Sequence, residues 1–207
     1  MNNAVRLFVI AAPSGAGKTT LVKAMVDRHP ELRFSVSYTT RQRRKNEKNG
    51  HDYFFVSTEE FARLEADGEL LESAVVFDNH YGTGRYQVEN HLSAGHSVIL
   101  EIDWQGAQQV RRSMPGCVSI FILPPSREAL AERLQGRRTD SDAAIARRLR
   151  DALSDMSHWD EFDFCIINDD LDVAVTEIES VFAGENRLNH RDDPALQANI
   201  QRILAQP

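Results

Sequence analysis

Cysteine is scarce in this chain, and its two copies, Cys117 and Cys165, stand singly in apolar, strand-like runs. They read as small buried hydrophobes, which excludes a disulfide framework. Positive charge does not dominate either. Lys and Arg number 24 against 31 Asp and Glu, for a formal charge of −7, and this balance argues against a general nucleic-acid binder. No apolar run reaches the roughly 20 residues of a membrane-spanning helix, and Met1 to Arg6 leads into a strand without a signal-peptide layout, so a cytoplasmic protein is expected. Internal repeats and low-complexity tracts are missing. The histidines show no metal-ligand spacing; His91 and His96 are five apart and fall on different helix faces. With 207 residues, 42% of them hydrophobic, a single α/β domain with insertions can build a real core, and no second full domain is needed.

What is present begins with Leu7 to Leu21, L-F-V-I-A-A-P-S-G-A-G-K-T-T-L. Leu7 to Ile10 is a continuous apolar run too short for a typical helix, which suits a strand covered on both faces of a parallel sheet. Pro13, Ser14, Gly15, Ala16 and Gly17 can then turn sharply with backbone N–H groups pointing inward, and Lys18 adds a positive charge where a helix begins. Thr19, followed by Thr20, offers a hydroxyl in the first helical turn, the position from which such loops hold Mg²⁺. The pattern is G-x-x-x-x-G-K-[ST] with Ala12 in its first position. Ala fits there if its φ stays negative.

The helix after the loop carries the stripe Leu21, Val22, Met25, Val26 and stops at Pro30. Phe34 to Tyr38 alternates, and a basic cluster of Arg41, Arg43, Arg44, Lys45 and Lys48 follows, enough to meet a small nucleotide. A strand is expected over Asp52 to Val56. Ser57 with Glu60 forms a capping box for a short helix with Phe61 and Leu64, closed by Gly68. Leu70-Leu71 and Ala74 to Phe77 are strand-like, and the polar, aromatic stretch N-H-Y-G-T-G-R-Y comes next. An insertion of this size beside a phosphate loop suggests a second substrate.

Ser97 to Asp103, S-V-I-L-E-I-D, reads as a Walker-B strand, with Glu101 and Asp103 on alternate residues and so on one side. Cys117 to Leu123 is a further buried strand stopped by Pro124-Pro125, with Ser126 as a helix cap. Residues 127 to 150 hold Arg127, Arg133, Arg137, Arg138, Arg147, Arg148 and Arg150, with Gly136 near the middle. This predicts two helices joined by a mobile turn. Phe164 to Ile167 is a last strand, and Asn168-Asp169-Asp170 can cap a helix with the stripe Leu171, Val175, Ile178, Phe182. A charged link, Glu185 to Asp193, precedes a helix begun by Asp193-Pro194 and bearing Leu196, Ile200, Ile203 and Leu204. Its apolar face suits the body of the protein or another subunit.

The expected fold is α/β, a P-loop NTPase-type parallel sheet covered by helices. One domain spans 1–207. Its core is about 1–34, 96–126 and 158–184, with a mixed α/β insertion about 35–95, an Arg-rich helical lid about 127–157 and a C-terminal helix about 193–205.

From roughly residue 5 to 183 the chain resembles the guanylate kinases of the bacterial type. The strings that carry this are A-P-S-G-A-G-K-T, F-S-V-S-Y-T-T-R-Q-R-R, G-H-D-Y-F-F-V, Y-G-T, E-I-D-W-Q-G, R-L-Q-G-R and I-N-D-D-L. Several motifs in fixed order are more specific than a phosphate loop alone. The last 20 or so residues carry no such motif. Ala12 is common in the bacterial members.

The resemblance implies transfer of the γ-phosphoryl group of ATP to GMP, with Mg²⁺ as cofactor, ATP and GMP as small-molecule partners, and no nucleic acid or membrane; a homo-oligomer is left open. It implies that residues 12–20 and Asn168 meet ATP, with Lys18 on the β- and γ-phosphates and Thr19 on Mg²⁺. Arg41 and Arg44 match the acceptor-phosphate arginines, joined by the hydroxyls of Tyr53 and Tyr81. Ser37, Glu72 and Thr83 match the guanine-reading positions; Thr83 is Ser in many members, and the hydroxyl is kept. Glu101 matches a residue on the GMP base or ribose side, though it is Asp in some relatives, and Asp103 supports the Mg²⁺ shell. Arg133, Arg137 and Arg148 match lid arginines that fold over the transferring group.

Blander roles stand beside these. Arg43, Lys45 and Lys48 suit a solvated face, Tyr53 suits core, and Glu72, Glu101 and Asp103 suit satisfied structural acids. Asn168 suits a helix cap with Asp169, and Arg127, Arg138, Arg147 and Arg150 suit pairing with Glu128, Glu132, Asp140, Asp142 and Asp151. Three rival functions remain. Asp103-Trp104-Gln105-Gly106 satisfies the D-x-x-G of P-loop GTPases, but no N-K-x-D follows. A non-catalytic interaction module of the same family would tend to lose Lys18 or the lid arginines. A related kinase for another phosphorylated acceptor is the nearest rival, because fold does not dictate substrate.

Overall fold

The structure, a computed structural model, describes residues 5–136 and 142–206. The leading apolar run is strand β1 (Leu7–Ala11), buried along its whole length, as a strand covered on both faces requires. Helix α1 (Lys18–Arg28) buries Leu21, Val22 and Met25. Next come β2 (Arg33–Phe34), β3 (Tyr38–Thr39), β4 (Phe54–Phe55), α2 (Thr58–Ala66), β5 (Leu70–Val76), β6 (Asn79–Gly84), α3 (Arg85–Ser93), β7 (Val98–Glu101) and α4 (Trp104–Ser113). The chain ends with β8 (Val118–Leu123), α5 (Arg127–Gln135), α6 (Asp142–Asp155), a 3₁₀ turn, β9 (Phe164–Ile167), α7 (Leu171–Ala183) and α8 (Pro194–Leu204). The larger sheet runs β2-β7-β1-β8-β9 and the smaller β4-β3-β6-β5. Pairings β2–β7 and β8–β9 are parallel, as the α/β alternation predicts.

The chain divides into two compact units, Ile10–His29 with Ser119–Pro207, and Asn2–Val9 with Pro30–Val118. In the first, Arg28 and Asp172 pair at 2.7 Å and His29 meets Glu179 at 3.1 Å. Helix α7 buries Ala174, Val175, Ile178 and Val181, whereas Leu171 is exposed and Phe182 half-buried. The expected stripe is thus turned by about one position, because small Ala174 belongs to the buried face. Its N-cap is Asp170, which accepts from the N–H groups of Asp172 and Val173; neither Asn168 nor Asp169 caps it. Helix α8 starts at Asp193 as expected and buries Leu196, Ile200 and Ile203 against this chain's own body. Among the described residues, no acid pairs with Arg127. Its guanidinium donates to the Leu204 carbonyl at the end of α8, where cations complement the helix dipole. Arg147 does pair with Asp151, at 3.8 Å. Arg138 and Asp140 lie outside the described residues.

In the second unit the capping box holds: Ser57 accepts from the Glu60 N–H at 3.1 Å, and Gly68 ends α2 with φ +70°. The expected strand over Asp52–Val56 shrinks to Phe54 and Phe55, since β3 presents only Tyr38 and Thr39 to it. The polar stretch after Phe77 is strand β6, returning from β5 through Phe77 and Asp78, both at positive φ (48° and 65°). Two such residues make the turn whose twist suits a tight hairpin. Helices α3 and α4 were not legible from periodicity. The first buries only Val88, and the second buries the small residues Gly106 and Ala107 beside Val110. Cys165 is buried and its thiol pKa is pushed up by burial, while Cys117 is only half-buried.

Candidate active site

The phosphate loop lies wholly in the first unit. Gly15 and Gly17 have φ +92° and +93°, a region open to glycine at little cost. Ala12 is not among the positive-φ residues, so alanine is accommodated there. Gly17 is the N-cap of α1, with no side-chain cap and no acid in the first turn. The helix's own first turn thus supplies no anion, and its N–H groups and dipole suit a phosphate. Lys18 opens the helix, and Thr19 and Thr20 are exposed in its first turn.

Asn168, at the end of β9, reaches this loop from below. Its Nδ2 donates to the Ala16 carbonyl at 2.8 Å, and a Cβ on Gly17 would overlap the Asn168 amide. Arg133 on α5 donates to the Asn168 carbonyl at 2.9 Å and to Ala16 O at 3.4 Å. Leu130 and Leu134 close on Gly15. Asn168 and Arg133 thus hold the loop's backbone. Arg148 lies half-buried on α6, and Arg137 falls outside the described residues.

The second unit carries the other predicted residues. Thr39 donates to the His80 carbonyl at 3.0 Å and accepts from the Arg41 N–H at 3.1 Å. Thr40 accepts from the His80 N–H at 2.9 Å. These threonines fasten the segment carrying Arg41 to β6. The Arg41 guanidinium lies 5.3 Å from the centre of the Tyr53 ring, and the Tyr53 and Tyr81 rings meet edge-on at 6.0 Å. Burial first, then the Glu101 carboxylate, pushes the Tyr53 phenol up to about 12, so it stays a hydrogen-bond donor at neutral pH. Arg44 extends into solvent, 66% exposed. Arg43, Lys45 and Lys48 are exposed, as a solvated face requires.

Glu72 and Thr83 are register partners on β5 and β6, so their side chains emerge together. Thr83 donates to Glu72 Oε1 at 2.6 Å, and Glu72 is 4% exposed. With its proton on Glu72, the Thr83 hydroxyl orients the carboxylate and does not at the same time donate elsewhere. Ser37 precedes β3 and is half-buried. Glu101 ends β7, but Asp103 is the N-cap of α4, accepting from the Gly106 N–H at 2.7 Å. The two acids are not on alternate residues of one strand, because β7 ends at Glu101.

The guanylate kinase family model matches residues 4–185. The chain belongs to the guanylate kinase family. It is 50% identical over 198 residues to a guanylate kinase of Methylococcus capsulatus, covering 96% of this chain and 97% of that one. It is 50% identical over 201 residues to one of Chromohalobacter salexigens, covering 95% and 94%. Among solved structures it matches a guanylate kinase of Anaplasma phagocytophilum with a TM-score of 0.73 and 32% identity, covering 100% of this chain and 99% of that one.

Two residues of this guanylate kinase chain were not singled out from the sequence. One is Glu47, which pairs with Arg41; the Arg41-Arg44-Glu47 spacing of three was its signal. The other is Gly106, read only as part of D-x-x-G. A Cβ at Gly106 would overlap the Glu72 carboxylate. Gly106→Ala sets two effects against each other. Helix propensity favours alanine by roughly 1 kcal/mol, whereas forcing atoms into a packed site costs about 1–3 kcal/mol. The second should win. The variant is expected to be destabilised in urea unfolding, and a rise in stability would show that Glu72 has room to yield.

Proposed function

We propose that the two units hold the two substrates of one phosphoryl transfer, ATP on the loop before α1 and GMP on the unit that carries Glu72 and Arg41. The protein is a guanylate kinase, an ATP:GMP phosphotransferase giving ADP and GDP. A GMP phosphate oxygen attacks the γ-phosphorus; the new P–O bond forms as the bond to the β-phosphate oxygen breaks, and ADP leaves. The acceptor phosphate has a second pKa of about 6 and is already a nucleophile, so no general base is needed. The chain's task is to position two polyanions and stabilise spread negative charge.

On the ATP side, the loop N–H groups and Lys18 would hold the β- and γ-phosphates. Among the described residues, no group of three or more His, Cys, Asp or Glu could cage a metal ion. The exposed Thr19 hydroxyl fits an ion that arrives on the triphosphate and keeps most of its waters. Thr19 would hold Mg²⁺ there, and the ion would supply neutralisation of the phosphate charge. Asp103, already a helix cap, would contribute only through water. Arg133, tied to Ala16 and Asn168, supports the loop, and with Arg137 and Arg148 would bring guanidinium charge to the transferring group.

On the GMP side, a single observation carries the reading: Glu72 is a buried carboxylate oriented by Thr83. It can accept from both N1–H and the 2-amino group of guanine, while adenine presents an acceptor at N1. Ser37 and Glu101 would flank the base and ribose, and Arg41, Arg44, Tyr53 and Tyr81 would hold the phosphate. A coupled ADP-release assay across GMP, AMP, CMP and UMP should give rates with GMP at least a hundredfold above the others. Equal rates with AMP would remove the guanine assignment.

A further inference from the structure

We propose that Glu47 is the positioning residue of the acceptor-phosphate subsite, holding Arg41 by one edge so that its other edge is presented to the phosphate. This rests on the reading of Arg41 as a phosphate-binding residue. Glu47 Oε1 accepts from Arg41 Nη2 at 2.8 Å and Oε2 accepts from Nη1 at 3.1 Å. Oε2 also accepts from the Arg44 N–H at 2.8 Å. Nη1 donates in addition to the Gln42 carbonyl at 2.9 Å, and Arg43 Nη1 donates to the Glu47 carbonyl at 2.6 Å. The turn from 41 to 47 is thus drawn around one carboxylate, and the side chains of Arg41 and Glu47 are only 16% and 17% exposed.

The geometry distinguishes the two edges of the guanidinium. The end bearing Nη1 and Nη2 is taken by Glu47 and Gln42. The side edge, Nε–H with the outer Nη2–H, is a second parallel pair of donors with the spacing that phosphate oxygens accept. After Glu47, the nearby Tyr81 phenol also helps to raise the Arg41 pKa, and the Tyr53 ring lies at the guanidinium's face. The pair holds each member in its charged form: Glu47 raises the Arg41 pKa, and Arg41 lowers that of Glu47.

Two consequences of the Glu47 charge oppose each other. By neutralising Arg41 it weakens attraction for an incoming dianion, an effect of about fivefold in affinity at the upper end of what ion pairs near a protein surface contribute. By fixing the arginine it removes rotamer freedom whose loss on binding is worth about thirtyfold. Ordering wins, by about sixfold.

The test compares Glu47→Gln and Glu47→Asp with the wild-type enzyme in steady-state kinetics, and in direct titrations with GMP and with guanosine, which lacks the phosphate. Glu47→Gln is expected to raise KM for GMP about sixfold, with kcat and KM for ATP within about twofold and guanosine binding unchanged. Glu47→Asp keeps the charge but is one methylene too short to span both Arg41 nitrogens and the Arg44 amide, so it should behave like Gln. An unchanged or lower KM for GMP in the Gln variant overturns the proposal. So does a wild-type KM in the Asp variant, which would make charge alone sufficient, or an equal loss of guanosine binding, which would mark a structural effect. A wild-type enzyme that binds GMP no better than guanosine would overturn the phosphate-subsite reading itself, and this proposal with it.

Discussion

Lys18→Ala is expected to lower kcat by about three orders of magnitude while leaving the dissociation constant for GMP within about twofold. Lys18 is the first residue of α1 and follows an N-cap glycine that has no side chain to cap the helix. A charge placed where negative charge spreads in the transition state is worth about 10²–10³ in rate when a single donor is removed, and a full cation on the transferring phosphates belongs at the upper end. The groups assigned to GMP, from Arg41 and Tyr53 to Glu72 and Thr83, are carried by a separate compact unit. Their geometry is set by the Glu72–Thr83 pair and the threonine staples to His80, none of which involves the loop. A coupled assay with calorimetric titration of GMP checks both halves. If the variant melts like the wild type and yet no longer binds GMP, the division into two substrate sides is wrong.

Glu72→Gln should lower kcat/KM for GMP about a hundredfold and leave the slow rate with AMP unchanged, so that selectivity shrinks by the same factor. A hydrogen bond to a charged acceptor contributes about 1.5–3 kcal/mol. The carboxylate can accept two from guanine, whereas the amide keeps one acceptor and turns a donor toward a donor. The loss is then one charge-assisted bond plus a mismatched contact, or about 3 kcal/mol, two powers of ten. Folding should be spared, because the amide is nearly isosteric and its oxygen can still accept from Thr83. Kinetics on both acceptors, with a melting curve, separate loss of recognition from loss of fold. An unchanged KM for GMP in a well-folded variant would remove Glu72 from the base site.

Much of this was legible in the chain. Local patterns with a strong physical cause were read correctly: the buried run of β1, the glycines and lysine of the loop, the Ser57, Ser126 and Asp193 caps, and the β8 and β9 strands. Patterns without an apolar signature were not. Strand β6 is built of polar and small residues because it is paired on both sides, and Gly82 lies close to Leu70 and Phe61. Helix α4 hides because its buried face has only Val110 beside glycine and alanine. Asp103 looked like a strand residue because alternation continues past the point where β7 stops pairing.

By itself, the sequence determined that a glycine loop with positive φ at Gly15 and Gly17 leads into a helix opened by Lys18, since φ signs, N–H direction and the lysine charge are properties of neighbouring residues. It also determined the family, because several motifs recur in fixed order. Tertiary structure alone decided which partner each polar group takes. Glu47 found Arg41, Asn168 found Ala16 instead of a cap, Arg127 found the end of α8, and Thr83 donated its hydrogen bond to Glu72. The reason is physical. A buried or half-buried polar group must find a partner, but the partner's identity depends on which backbone segments the fold brings within about 3 Å, and no spacing along the chain encodes that distance.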